Sequence, residues 1–217
     1  MKTVTPDLLS QFESIRKDVS WLAYEWDLVH ELFWRYPRRQ QLYLHSHDLA
    51  MCFLWILGAL RDDVINRICR LAEPPRTYGR DNLTLKRILA DPALAGDRML
   101  QRRLNTVERH LADVRTHRNK RVAHSDLGTN LGKQPLPKMG KSLPKALKST
   151  LRLTDAIELE LTGSCTSRGS YGRQAARKLL AKLRTAAWCE DRAWDEAVKW
   201  ASGRTSLPRR PSVPRLP

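Results

Sequence analysis

From Leu8 the apolar residues fall at Phe12, Ile15, Val19, Leu22, Trp26, Val29 and Phe33, alternating steps of four and three without a miss. That period lays them on one stripe of an α-helix and predicts a helix packed lengthwise on another. Its start is written just upstream. Thr5 offers a capping hydroxyl, Pro6 occupies the first position, where no N–H is needed, and Asp7 faces the positive end of the helix dipole. Pro37 ends it. A second helix is predicted over about Arg39 to Leu71, amphipathic at its ends and apolar on all sides between Leu49 and Leu60. A helix apolar all round belongs inside, so that stretch is expected to be a buried core helix. Pro74 and Pro75 stop it.

A short helix opens at Asn82-Leu83-Thr84-Leu85 and closes before Pro92. The third long helix starts near Asp97 and carries Leu104, Val107, Leu111 and Val114 on one seam. The fragment KQPLPKMGKSLP reads as a basic loop, and a helix follows from Leu143 or Pro144 to Leu161. TGSCTSRGSYG reads as a turn, and two closing helices are expected, Gln174 to Ala187 and Asp191 to Ala201. No strand pattern and no internal repeat is visible. The fold class is therefore all-α, a bundle of five to seven helices in one domain over residues 1–202. Residues 203–217, GRTSLPRRPSVPRLP, carry four prolines and no periodicity, and are expected to form a disordered basic tail.

Length and composition narrow this further. The chain has 217 residues, 41% of them hydrophobic, enough for one real core. The longest apolar run is about a dozen residues against the roughly 20 that span a bilayer, so no membrane partner is expected. MKTVTPDLL lacks a hydrophobic signal core, and Cys52, Cys69, Cys165 and Cys189 form no CxxC pair. Both points favour a cytoplasmic protein with reduced thiols. His45 and His47 have no third ligand at a helical spacing, so neither a metal nor another cofactor is expected. Adjacent Asp62 and Asp63 point in different directions on a helix and are expected to be solvated or paired with Arg67 or Arg70; a pairing with Arg118 is the alternative. Trp21, Trp26, Trp34 and Trp55 are read as core or interface. Trp188, Trp194 and Trp200 lie near the basic C-terminal region, where stacking on bases is an alternative to packing.

Charge changes the picture. Net charge is +16, and it is unevenly placed. Residues 115–152 hold ten Lys+Arg and one acid, residues 168–217 hold twelve and four, and the remainder is almost neutral. A polyanionic partner follows as the leading expectation. The basicity begins at RTHRNKRVAHSDLG, residues 115–128, and there the helix breaks its own pattern. Continued at about 100° per residue, the seam of the third long helix reaches position 118, and Arg118 stands where Leu or Val belongs. Arg121 and His124 follow on the same side, with His117 close by.

Cations at a helix C-terminus are favoured by the dipole alone. An arginine on an apolar seam costs free energy unless an anion pairs it, and Asp126 is the only acid in that run. Arg and His suit phosphodiester chemistry. Arg forks onto phosphate oxygens, His titrates near neutrality, and RNA brings its own nucleophile in the 2′-hydroxyl. Short helices in a helix-turn-helix arrangement are not evident, so a DNA-binding regulator is disfavoured.

Arg118-Asn119-Lys120-Arg121-Val122-Ala123-His124 resembles the signature of HEPN domains (higher eukaryotes and prokaryotes nucleotide-binding): Arg, then a polar residue, with His six positions after the Arg. The stretches ALRDDVINRICRLAEPP and NLTLKRIL resemble the HEPN-like branch of abortive-infection phage-defence proteins. The likeness covers roughly residues 10 to 185. It implies a metal-independent endoribonuclease that acts as a toxin or defence effector, active as a homodimer, with an antitoxin protein as a partner in the toxin setting. Carried over by position, Arg118 and His124 form the catalytic pair and Asn119 positions them. Geometry adds Arg121 as a phosphate contact, and Arg115, Lys120 and the lysines of residues 133–148 as backbone contacts to RNA. The alternative is a non-catalytic HEPN module that binds nucleic acid or protein. His124→Ala separates the two, since only an enzyme depends on that side chain.

Overall fold

The computed structural model describes residues 4–34, 50–123, 139–166 and 171–201, with some helical side chains left undescribed. Among these residues the chain is almost entirely helical, with seven α-helices and a single two-residue strand pair. Helix α1 spans Pro6–Val29, α2 Ala50–Leu71, α3 Leu85–Leu89, α4 Pro92–Ala95, α5 Arg98–His117, α6 Met139–Thr162 and α7 Tyr171–Ala201. Two π-helical segments, His30–Trp34 and Arg118–Ala123, continue α1 and α5. No described helix is long and apolar enough to cross a membrane. The chain divides into two compact units, Met1–Ala176 and Arg177–Pro217. Residues 203–217, expected as a disordered tail, lie outside the described residues.

The first unit is built as the apolar spacing demands. Thr5 caps α1, its hydroxyl accepting from the Leu8 N–H at 3.2 Å with Pro6 at the first helical position. Leu8, Phe12, Ile15, Val19, Leu22 and Val29 are buried along it, packed on α2 and α6. The seam that could have served a dimer is thus consumed by the chain's own core. Helix α5 contributes Leu100, Leu104, Val107, Leu111 and Val114, and α6 lies along it contributing Leu143, Ala146, Leu147, Leu153 and Ile157. The carboxylate of Asp97 caps α5 by accepting from the Met99 and Leu100 N–H groups. Thr84 caps α3, its hydroxyl accepting from the Arg87 N–H, at the opening expected in Asn82-Leu83-Thr84-Leu85.

Several expectations change. Among the described side chains of helix α2, those that join the core lie in its second half: Val64, Ile65, Ile68, Cys69 and Leu71. In its most apolar stretch, expected to be a buried core helix, the described Trp55 is 77% exposed and Ile56 55%. Trp21 is exposed as well, stacked on Tyr24, whereas Trp26 packs against the core. Helix α6 begins at Met139, upstream of Leu143, and runs through Pro144. Pro144 is the sixth residue of this helix, past the four N–H groups that lack internal partners, so the helix runs on without the bond to the Gly140 carbonyl. The two closing helices are one continuous α7, since nothing between Ala187 and Asp191 breaks helical geometry. A small hairpin appears where no strand is expected: Arg76 pairs with Asp81 and Thr77 with Arg80 around Tyr78 and Gly79. Both turn residues have positive φ, 50° and 77°, the geometry of a tight two-residue hairpin. The pattern rule fails there because strands of two residues carry no period.

Candidate functional site

At Arg118 the backbone leaves α-helical geometry. The segment Arg118–Ala123 forms a π-helical turn directly on the end of α5. Such wide turns shift the side chains that follow from the positions an α-helical period would give. The sequence places Arg118 correctly on the seam, because the α-helix holds up to His117, which is itself buried beside Val114. Beyond it the constant period no longer applies. Arg121 lies in the π turn with its side chain outside the described residues, and His124 lies outside them altogether.

Arg118 is half-buried and paired within the chain. Its Nη1 donates to Glu73 Oε1 at 2.7 Å, and its Nε donates to Asn119 Oδ1 at 3.1 Å. The seam arginine therefore has a carboxylate partner. That partner is neither Asp62 nor Asp63, which engage Arg61 and Arg67 respectively. Glu73 reaches the site because the chain ahead of Pro74 and Pro75 has to leave the helix. The residue before a proline is driven out of the α region. Ala72 and Glu73 close the end of α2 with hydrogen bonds back to Cys69 and Arg70. The hairpin behind them is pinned by Asn82, whose side chain donates to the Pro74 carbonyl at 3.0 Å and to the Thr77 hydroxyl at 2.8 Å.

One turn back on α5, Arg115 is tied down too. Its Nη2 donates to the Ala72 carbonyl at 2.8 Å, and its guanidinium pairs with Glu108, which also receives Lys86 at 2.9 Å. Burial alone would raise the Glu108 carboxyl. The hydrogen bonds from Arg115 and Lys86, and their charges, hold it below the usual carboxylate range. Cys69, buried on the last turn of α2, is pushed up to about 11 by burial, an effect that the positive charges of Arg118 and Arg115 partly offset. The end of α2 and the end of α5 are thus stitched together by Arg115 on a backbone carbonyl and Arg118 on a carboxylate. Lys120 is half-buried in the π turn, and Asn119 is exposed.

Of the residues singled out in the sequence, Arg115, Arg118 and Asn119 are brought together around Ala72 and Glu73. Glu73 itself carries no sequence signal, since its role depends on a contact 45 residues distant in the chain. A second polar cluster is equally unmarked in the sequence. Asp155, Glu158 and Cys165 hold ligand-type atoms within 4.8 Å of one another. The buried Glu158 carboxylate accepts from the Thr166 N–H at 3.2 Å and its hydroxyl at 2.6 Å. Those bonds fasten the chain after α6, which is a structural use of the group.

With a helical hairpin of α5 and α6, a polar break at the end of α5 and the Arg118–Asn119 pair at that break, the architecture can be compared with known families. The family model HEPN_AbiU2, described as AbiU2, matches residues 5–181. The chain belongs to this HEPN-like abortive-infection family. No curated protein and no solved structure matches it. The match spans α1 through the first turns of α7, so all but the first four residues of the first unit, Glu73 and Arg118 included, lie within the family region.

Proposed function

We propose that this AbiU2-family protein is a metal-independent endoribonuclease acting as a toxin or phage-defence effector in the cytoplasm. The observation that carries the proposal is Arg118. It is a half-buried guanidinium on an otherwise apolar seam, oriented by Glu73 and Asn119 at the start of a π-helical turn. An arginine fixed by two partners is preorganised, and preorganised charge stabilises a developing oxyanion at little reorganisation cost. The 2′-hydroxyl of RNA attacks the adjacent phosphorus as His124 takes its proton. Arg118 neutralises the phosphorane oxygens. The bond to the 5′-oxygen then breaks as His124 hands the proton on to that leaving oxygen. The products are a 2′,3′-cyclic phosphate and a 5′-hydroxyl. Asn119 positions Arg118, while Arg121, Lys120 and the lysines of residues 133–148 hold the backbone. Arg115, already engaged by Glu108 and Ala72, braces the site beside its proposed phosphate role.

The active form is a homodimer in this reading. The supporting surface is the exposed apolar shoulder of α2 at Trp55 and Ile56, since the α1 seam is occupied by the core. The test is incubation of purified protein with total RNA in EDTA beside an Arg118→Ala/His124→Ala double variant. Cleavage by the wild type alone supports the enzyme. Equal cleavage by both refutes the site, and silence in both moves the non-catalytic binding module ahead.

A further inference from the structure

Helices α5 and α6 lie side by side, both turning their leucine and valine stripes to the core. Two contacts fix their register. Ser142 donates to Asp113 at 2.7 Å, and His110 meets Ser149 at 3.2 Å, so the helices are antiparallel. The faces opposite the core carry cations at helical spacing. On α6 these are Lys141, Lys145, Lys148 and Arg152, in steps of four, three and four, all exposed. On α5 they are Arg102 and Arg109, seven residues apart and also exposed. Rotating about each helix by 100° per residue from the contacts at Asp113–Ser142 and His110–Ser149 puts all six on the same outer surface of the hairpin. Among the described residues none of the six is paired with an acid, and Asp113 is the acid that lies between the rows.

The patch is about 16 Å long, from eleven residues at 1.5 Å each, and about 8–10 Å across between helix axes. It joins two parts of the sequence that look different. Arg102 and Arg109 come from the electrostatically neutral part of the chain, and the α6 cations from the basic run. Arg118, which follows on the end of α5, lies on the core-facing seam and not on this face.

Neither helix contains a Phe, Tyr or Trp. Single-stranded RNA is held by stacking its splayed bases on aromatic rings, whereas a duplex presents phosphates and sugars and is read by shape. From this surface we infer that the outer face of the α5–α6 hairpin binds a base-paired stretch of RNA through its phosphates. The inference rests on the ribonuclease reading for its choice of RNA and extends it to a specific partner and surface.

The experiment measures binding, so that it stands apart from catalysis. Full-length His124→Ala protein is titrated onto a fluorescent 20-base-pair RNA and onto a single strand of equal length, at several salt concentrations. Arg102→Gln/Arg109→Gln and Lys145→Gln/Lys148→Gln/Arg152→Gln variants are compared in that background, with folding checked by circular dichroism. Each cation that neutralises a phosphate is worth roughly eightfold in affinity near 0.1 M salt, and its removal lowers the salt slope by about 0.9. The expected result is at least a tenfold loss of duplex affinity in each variant, with a shallower slope and a smaller change on the single strand. Unchanged duplex affinity in both variants overturns the inference, as does a loss confined to the single strand. A wild type that binds duplex through this face yet cleaves nothing refutes the ribonuclease reading and leaves the surface standing.

Discussion

Replacing Glu73 with alanine removes the carboxylate that holds Arg118 and leaves the guanidinium half-buried with Asn119 alone. Arg118 and Glu73 side chains are 21% and 31% exposed and meet at 2.7 Å. A fully exposed pair would contribute about 0–1 kcal/mol, and a hydrogen bond to a charged group in the interior about 1.5–3 kcal/mol. This pair lies between those limits, so solvent screening brings the figure to about 1.5 kcal/mol. For a chain of this size that is roughly 3–6 °C in Tm. The pair also joins α2 to the end of α5, so its loss loosens the junction that fixes Arg118. The assay is a double-mutant cycle by thermal or urea unfolding with Glu73→Ala, Arg118→Ala and both together. If the two side chains pair in solution, the double variant is about as stable as the less stable single one, with a coupling near about 1.5 kcal/mol. Strict additivity, with coupling below about 0.3 kcal/mol, refutes the pairing. Glu73→Gln supplies the second readout. It keeps an oxygen to accept from Nη1, so it should retain more cleavage than Glu73→Ala. A gain of cleavage in both would mean that Glu73 competes with phosphate instead of orienting the arginine.

Three further outcomes follow from the packing. Burial raises the Glu25 carboxyl despite Arg67 and the Trp21 N–H, so folding binds a proton more tightly there. Its charged form therefore costs stability above the ordinary carboxylate pKa: Glu25→Gln should raise Tm by a few degrees at pH 7, and the gain should vanish below about pH 4. Gly172 sits against α1, where an added Cβ would run into the Tyr24 carbonyl and lie 2.8 Å from Asp27 Cβ. Gly172→Ala should cost about 1–3 kcal/mol in urea unfolding, and an unchanged midpoint would show that the start of α7 moves aside. If the proposed dimer forms through this shoulder, Trp55→Glu should convert it to a monomer in sedimentation while leaving the far-UV circular dichroism unchanged, because the side chain is 77% exposed in the single chain.

The long helices of the first unit are legible because their apolar residues keep a period long enough to outlast chance, and because Thr5 and Asp97 mark two of their starts. The pattern misleads where the local rule is sound and the context overrides it. Trp55 and Ile56 are apolar, yet burial depends on whether another surface is present to cover them, and the period of one helix does not say. The hairpin at Tyr78–Gly79 is too short to show alternation. At the candidate site, Arg118 is legible as a violation of its own seam. Glu73 is not, since an acid after a helix is ordinary until the fold brings it to an arginine 45 residues away.

The same reasoning explains why the violation is tolerated. A lone arginine on an apolar seam would cost several kcal/mol if left unpaired. Here α5 stops being α-helical at that residue, so the side chain sits at the rim where water still reaches it, and the α2 terminus brings a carboxylate to meet it. The prolines that end α2 and the π turn that ends α5 are therefore two halves of one arrangement. One places an acid, the other frees an arginine from the core while keeping it aimed by Asn119. The contact with the guanidinium makes Glu73 as much a part of the Arg118 site as the motif residues that mark it in the sequence.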